Sequence, residues 1–209
     1  MRQEPAIKIH DLKIRFDGKI VLNGFSLTLG RGEKATLTGP SGSGKTTVLR
    51  CIMGFTVPDE GSISIEGKQV TPASIWERRS RLTYIAQEPD LGRERVREIL
   101  ERPFSYRTNA LLRDNLAKAP DLFRRFLLPI ELMDKETAIL SGGEKQRVAL
   151  ISALLLERKI FLLDEASSAL DDASKHAVGD YFRSQDGMTV LSVSHDPQAF
   201  SLSDNIITL

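Results

Sequence analysis

The chain has 209 residues, 41% of them hydrophobic, which suits one ordinary globular domain with a sizeable core. Basic and acidic residues nearly balance, 29 against 28, so no global field favours nucleic acid or an anionic membrane surface, and partners must be argued from sites. Cys51 is the only cysteine, which excludes an internal disulfide and suits a reducing compartment; no apolar run approaches the about 18 residues of a membrane span, and the N-terminus has no secretory core.

In chain order, Ile7, Ile9, Leu12, Ile14 and Phe16 nearly alternate with polar residues, and Phe25 to Leu29 repeats the pattern; both predict half-buried strands in an antiparallel layer. KATLT after Glu33 predicts a strand that enters GPSGSGKT at Gly39 to Thr46, with a helix following from about Thr46 to Met53. GSISIE at Gly61 to Glu66 and RLTYIA at Arg81 to Ala86 read as further strands, the second ending at Gln87. From Glu88 to Ile139 strand signals vanish. Val96 to Glu101 and Asp121 to Leu128, the latter after Pro120, have helical spacing and predict a helical insertion. LSGGE at Leu140 to Glu144 opens a helix to about Glu157, and the apolar run Ile160 to Leu163 suggests a strand covered on both faces, as in a parallel sheet. Asp172 to Arg183 predicts a helix, and Thr189 to Val193 and Asn205 to Leu209 predict strands.

Two segments have the chemistry of anion sites. In Gly39-Pro40-Ser41-Gly42-Ser43-Gly44-Lys45-Thr46 the glycines let the backbone curl around phosphate oxygens with its N–H groups inward, and the strand, loop, helix context is what a P-loop requires. Lys45 would reach the β and γ phosphates of a bound ATP, Thr46 would give its hydroxyl to Mg²⁺, and Thr47 completes the candidate ATP-binding set. The second segment, Ser141-Gly142-Gly143, leaves backbone N–H groups open at a helix N-terminus, which carries roughly half a positive charge, yet no lysine accompanies it. IFLLDE places Asp164 and Glu165 just past the end of a buried strand, where open α/β sheets put their ligands. Asp164 would hold the magnesium shell through water, and Glu165 would act as general base on the attacking water. An acidic pair there is also suited to capping a helix, but nucleotide hydrolysis needs a second magnesium anchor and a group to orient water.

GPSGSGKT, Gln87, LSGGE, IFLLDE, the segment Ser168-Ala169-Leu170-Asp171 and His195 stand in the order found in ATP-binding cassette (ABC) ATPases, and the chain resembles that family over essentially its whole length. The resemblance implies an α/β P-loop NTPase of the ABC ATPase type, a single domain over residues 1–209. Within it, residues 1–87 and 141–209 would form a RecA-like core with a mixed or parallel sheet and an N-terminal antiparallel β layer, and about 88–140 a helical subdomain. It further implies that Ser141, Gly142, Gly143 and Glu144 bind the γ phosphate of an ATP held by a second subunit. Two chains would then pack head to tail as a homodimer, with the opposite Lys45 supplying the point charge. His195 would hydrogen-bond the γ phosphate and join Lys45 and Glu165 as a catalytic residue. Gln87 would join Thr46 and Asp164 in sensing Mg²⁺ or its water. Asp171 would cross the dimer interface, although it equally suits the cap of the helix that begins at Asp172. Phe16 occupies the place of an aromatic that stacks on adenine, though as a strand residue it also suits the core. Ala166 stands where the family commonly has proline, and His10 and His176 lack any such context and are expected to be structural.

The function so implied is ATP hydrolysis driving transport through a separate integral membrane permease, with the chain cytoplasmic and peripheral on the inner face of the membrane. LDDASKHAV at Leu170 to Val178, the KQR after LSGGE and the ending SDNIITL resemble the ATP-binding subunit of a bacterial iron exporter, so metal export is the cargo this suggests. The alternative is a non-transport ABC ATPase acting as a clamp or metal-cluster assembly scaffold. DNA-repair versions insert long coiled coils, and the short stretch between Gln87 and Leu140 has no sustained heptads. A small-molecule P-loop kinase would leave LSGGE unexplained. Arginines between Arg78 and Arg113 interleave with Glu88, Glu94, Glu98 and Glu101 as on a solvated helical face, so no nucleic-acid partner is expected. The sequence ends soon after His195, and no appended regulatory domain is expected.

Overall fold

Alternating apolar residues in the first thirty positions build an antiparallel layer in the computed structural model, which describes residues 4–195, 202 and 205–209. Strands β1 (Ile7–Phe16), β2 (Lys19–Leu29), β4 (Glu60–Ile65) and β5 (Lys68–Gln69) lie in the order β2-β1-β4-β5. The alternation in β1 is imperfect for a physical reason. The register shifts between Ile9 and Leu12, where Asp11 takes φ +48°, and this bulge returns Leu12 and Ile14 to the buried face that Ile7 and Ile9 occupy.

Beneath that layer lies a five-stranded sheet of β3 (Lys34–Thr38), β6 (Leu82–Ile85), β7 (Ile160–Asp164), β8 (Thr189–Val193) and β9 (Ile206–Thr208), in the order β6-β7-β8-β3-β9. All of its pairings are parallel. Every residue of β7 is buried, as its uninterrupted apolar run requires. Leu82, Leu162 and Leu191 face the antiparallel layer together with Val48, Leu49 and Ile52 of α1 (Lys45–Ile52). Phe161, Leu163 and Val190 face the other way, onto α5 (Gly142–Leu154) and α6 (Asp172–Arg183), where Phe161 meets Phe182 edge-on at 5.4 Å.

The short helix α2 (Ile75–Arg79) and the two-residue β5 lie in stretches with no strong periodicity. Between β6 and β7 the regular elements are α3 (Val96–Glu101), α4 (Ala119–Arg125) and four 3₁₀ segments. The helix expected over Asp121 to Leu128 begins two residues earlier and ends at Arg125. There Leu127 turns left-handed at φ +55°, Leu127 N–H donates to Arg124 O and Leu128 N–H to Phe123 O. That is a Schellman ending with leucine where glycine is usual, so the side chain gave no stop signal. The helix opened by LSGGE ends at Leu154, three residues short of the expected Glu157.

Candidate functional site

The cradle forms where β3 runs out and α1 begins. Gly39, at φ +149°, could not carry a Cβ, because one would sit 2.7 Å from Leu209 O and 2.9 Å from Ser43 Oγ. Gly42 and Gly44 are also left-handed, at φ +81° and +99°. Lys45 is 5% exposed, and its ammonium donates to the carbonyls of Gly39 and Pro40, both at 2.9 Å. Ser43 Oγ is buried with no partner among the described residues. A cation wrapped by its own loop and an unpaired hydroxyl beside it fit an arriving phosphate, which would give both a charged or polar partner.

Asp164 is buried at the end of β7, next to the start of α1. Thr46 Oγ1 donates to its Oδ1 at 2.9 Å, and Tyr84 Oη donates to its Oδ2 at 2.8 Å. The donor set suits a hard, oxygen-loving cation such as Mg²⁺, with one hydroxyl and one carboxylate side by side. Glu165 follows in the left-handed region at φ +49°, its N–H donating to Val193 O at 3.1 Å. A glutamate pays strain for that conformation, which the surrounding strands impose. The turn delivers Oε1 to within 2.7 Å of Nε2 of His195, which lies just past β8; the two side chains are 15% and 46% exposed.

A cleft of about 370 Å³ brings together Phe16 and Val21, the loop residues Ser41, Gly42, Gly44, Lys45, Thr46 and Thr47, and the Glu165–His195 pair. Phe16 is 47% exposed at the cleft rather than in the core. Gln87 is exposed two residues past β6 and does not line the cleft. Its neighbour Ala86 instead accepts a hydrogen bond from Gln146 Nε2 at 3.2 Å.

The N-terminus of α5 also lies away from the cleft. Ser141 caps it: Oγ accepts from Glu144 N–H at 3.2 Å while Glu144 Oε2 accepts from Ser141 N–H at 2.7 Å. Ser141 and Gly142 are exposed, and a Cβ on Gly143 would press to 2.7 Å from Ala169 O. Asp171 caps α6, accepting from Ser174 N–H at 2.8 Å, and that backbone bond holds its carboxyl below the usual range. His10 is exposed on β1, and His176 Nδ1 lies 2.6 Å from Asp172 O; neither reaches the cleft.

Sequence reasoning missed two side chains. Tyr84 looked like one more apolar strand position, and only the β6–β7 register puts it beside Asp164. Arg147, 9% exposed, donates to Gly143 O, Phe126 O, Leu127 O and Ser174 Oγ, tying α5 to the end of α4 and the start of α6.

A phosphate cradle between a parallel strand and a helix, with two carboxylates at the tip of the adjoining strand, defines a P-loop nucleotide hydrolase. Residues 22–168 match the ABC transporter family, and the chain belongs to that family. It is 38% identical over 209 residues to the probable iron export ATP-binding protein FetA of Escherichia coli (strain K12), covering 98% of this chain and 91% of that one. It is 32% identical to the energy-coupling factor transporter ATP-binding protein EcfA1 of Streptococcus thermophilus (strain CNRZ 1066), covering 97% of this chain and 76% of that one. Among solved structures it matches a bacterial Atm1-family ABC exporter with ATP bound, at TM-score 0.84 and 27% identity, over 100% of this chain and 38% of that chain. In fold it also matches cbiO1 from Clostridium perfringens, part of the ABC transporter complex cbiONQ, at TM-score 0.82 and 24% identity, over 99% of this chain and 85% of that one. The chain is thus an ATP-binding subunit whose ATP hydrolysis drives transport.

Proposed function

We propose that two copies of this chain pack head to tail, each closing the other's nucleotide cleft, and together power a separate integral membrane permease from the inner face of the membrane. One observation supports the dimer: the helix N-terminus at Ser141, Gly142 and Gly143, with Ser141 and Gly142 exposed, has the character of an anion site, yet it lies away from the cleft of its own chain. A twofold pairing would satisfy both half-sites at once. Asp171, exposed beside that helix, would then meet the partner while keeping its capping bond.

Within each cleft, Phe16 would stack on the adenine and the 39–47 loop would enclose the phosphates. Lys45 would exchange its two carbonyl partners for phosphate oxygens. Thr46 and Asp164 would hold Mg²⁺, which when bound neutralises charge developing on the phosphate oxygens. Glu165 would take the proton of the attacking water, and His195, whose Nε2 already lies 2.7 Å from Glu165 Oε1, would hold the base and the γ phosphate in register. Gln87 would reach the cleft only when the segment after β6 moves. That makes it the link between nucleotide state and residues 88–140, which we read as the helical subdomain that meets the permease. Among the described residues no helix is long and apolar enough to cross a membrane, so the transport path is the permease's to supply. The similarity to FetA supports iron, or another metal ion, as exported cargo.

Replacing Glu165 with Gln tests the reading. Hydrolysis should fall by at least about a hundredfold while an ATP-dependent dimer accumulates in gel filtration. Undiminished turnover removes Glu165 from the mechanism. Purification from detergent extracts should bring an integral membrane protein along; its consistent absence would favour the scaffold alternative.

A further inference from the structure

The carboxylate of Asp164 has two oxygens and, among the described residues, two side-chain donors. Thr46 Oγ1 holds Oδ1 at 2.9 Å and Tyr84 Oη holds Oδ2 at 2.8 Å. Tyr84 pairs with Leu162 in the parallel register of β6 and β7, two residues before Asp164. Tyr84, Leu162 and Asp164 therefore lie on one face of the sheet, and the phenol spans the remaining distance by leaning along the strand.

A carboxylate held at one oxygen swings freely about its terminal torsion, which has broad wells. Magnesium, by contrast, tolerates little departure from octahedral geometry. We propose that Tyr84 is a positioning residue for the magnesium site: by holding Oδ2 it fixes the rotation of the Asp164 carboxylate, so that Oδ1 stays with Thr46. Such partners of metal-bearing carboxylates tune affinity without touching the ion. The inference rests on the reading of Thr46 and Asp164 as the magnesium pair.

The test uses the full chain with Tyr84→Phe, which removes a single oxygen and keeps the ring. Two quantities are measured: ATP affinity in EDTA and in Mg²⁺, and the Mg²⁺ concentration giving half-maximal hydrolysis. The half-maximal Mg²⁺ should rise roughly tenfold, whereas metal-free ATP affinity should stay within about twofold of the parent. Thr83→Val, on the neighbouring residue whose buried hydroxyl has no partner among the described residues, should change neither quantity. An unchanged Mg²⁺ requirement, an equal loss of metal-free affinity, or failure of Tyr84→Phe to fold would overturn the positioning role. If the unaltered protein binds and hydrolyses ATP with no dependence on Mg²⁺, the magnesium assignment itself fails, a pattern distinct from the other three.

Discussion

Arg147→Met should lower stability by about 2–3 kcal/mol, and the figure follows from what the guanidinium touches. The arginine donates to three carbonyls and one hydroxyl, of which Phe126 O at 3.1 Å and Ser174 Oγ at 2.8 Å are in fully buried bonds. Leaving two such acceptors without a donor costs about 1.5–2 kcal/mol each, near the middle of the usual range for a buried unsatisfied group. The Leu127 O contact counts for less, since Leu127 is 52% exposed. Against this, methionine fills the space of the stem and removes a buried charge with no carboxylate in ion-pair contact among the described residues, which returns about 1 kcal/mol. For a chain of this size 1 kcal/mol shifts the melting temperature by about 2–4 °C, so the variant should melt about 4–12 °C lower by circular dichroism without nucleotide. Arg147→Lys should recover part of that loss, because a single ammonium cannot fork between α4 and α6. A methionine variant melting within about 1 °C of the parent would show that the four bonds carry no net weight.

The glycine pair in the SGG segment separates structure from function. Gly142→Ala meets only ordinary contact, with Ala169 Cβ at 3.7 Å, and should leave melting unchanged while hydrolysis falls; Gly143→Ala drives a Cβ against Ala169 O and should cost about 1–3 kcal/mol as well. Full activity in Gly142→Ala would argue against a phosphate contact there. Leu127→Gly should raise the melting temperature by about 1–3 °C, because left-handed backbone costs leucine about 1–2 kcal/mol and glycine's extra chain entropy returns only part of it. Burial pushes the Cys51 thiol up to about 12, so native protein at pH 8 should resist iodoacetamide until denaturant is added; fast native labelling, read by mass spectrometry, would contradict that burial.

Elements with local chemistry were legible from the chain. The helix Asp172–Arg183 and the strand Thr189–Val193 have the expected limits, the first because Asp171 is a strong cap and the second because its apolar run is short and bounded. The cradle was legible for the same reason, since glycine spacing dictates loop shape directly. What depended on distant partners was not. Glu165 and His195, thirty positions apart, were joined only by the family resemblance, and they meet because β7 and β8 are neighbours in the sheet. Tyr84 gained its role from strand register, Arg147 from three converging elements, and the end of α4 from a leucine in a conformation that its type does not advertise. Gln87 was assigned to the strand end from its context, whereas β6 stops at Ile85 and the glutamine stands outside the cleft.

The moorings of α5 bear on how such a molecule can work. Its Gln146 is fastened to Ala86, beside Gln87, and its Arg147 to the tail of α4 and the head of α6. A tug on any of these attachments therefore bears on the helix whose tip exposes Ser141 and Gly142. In the proposed dimer, grip and message would share a single rod.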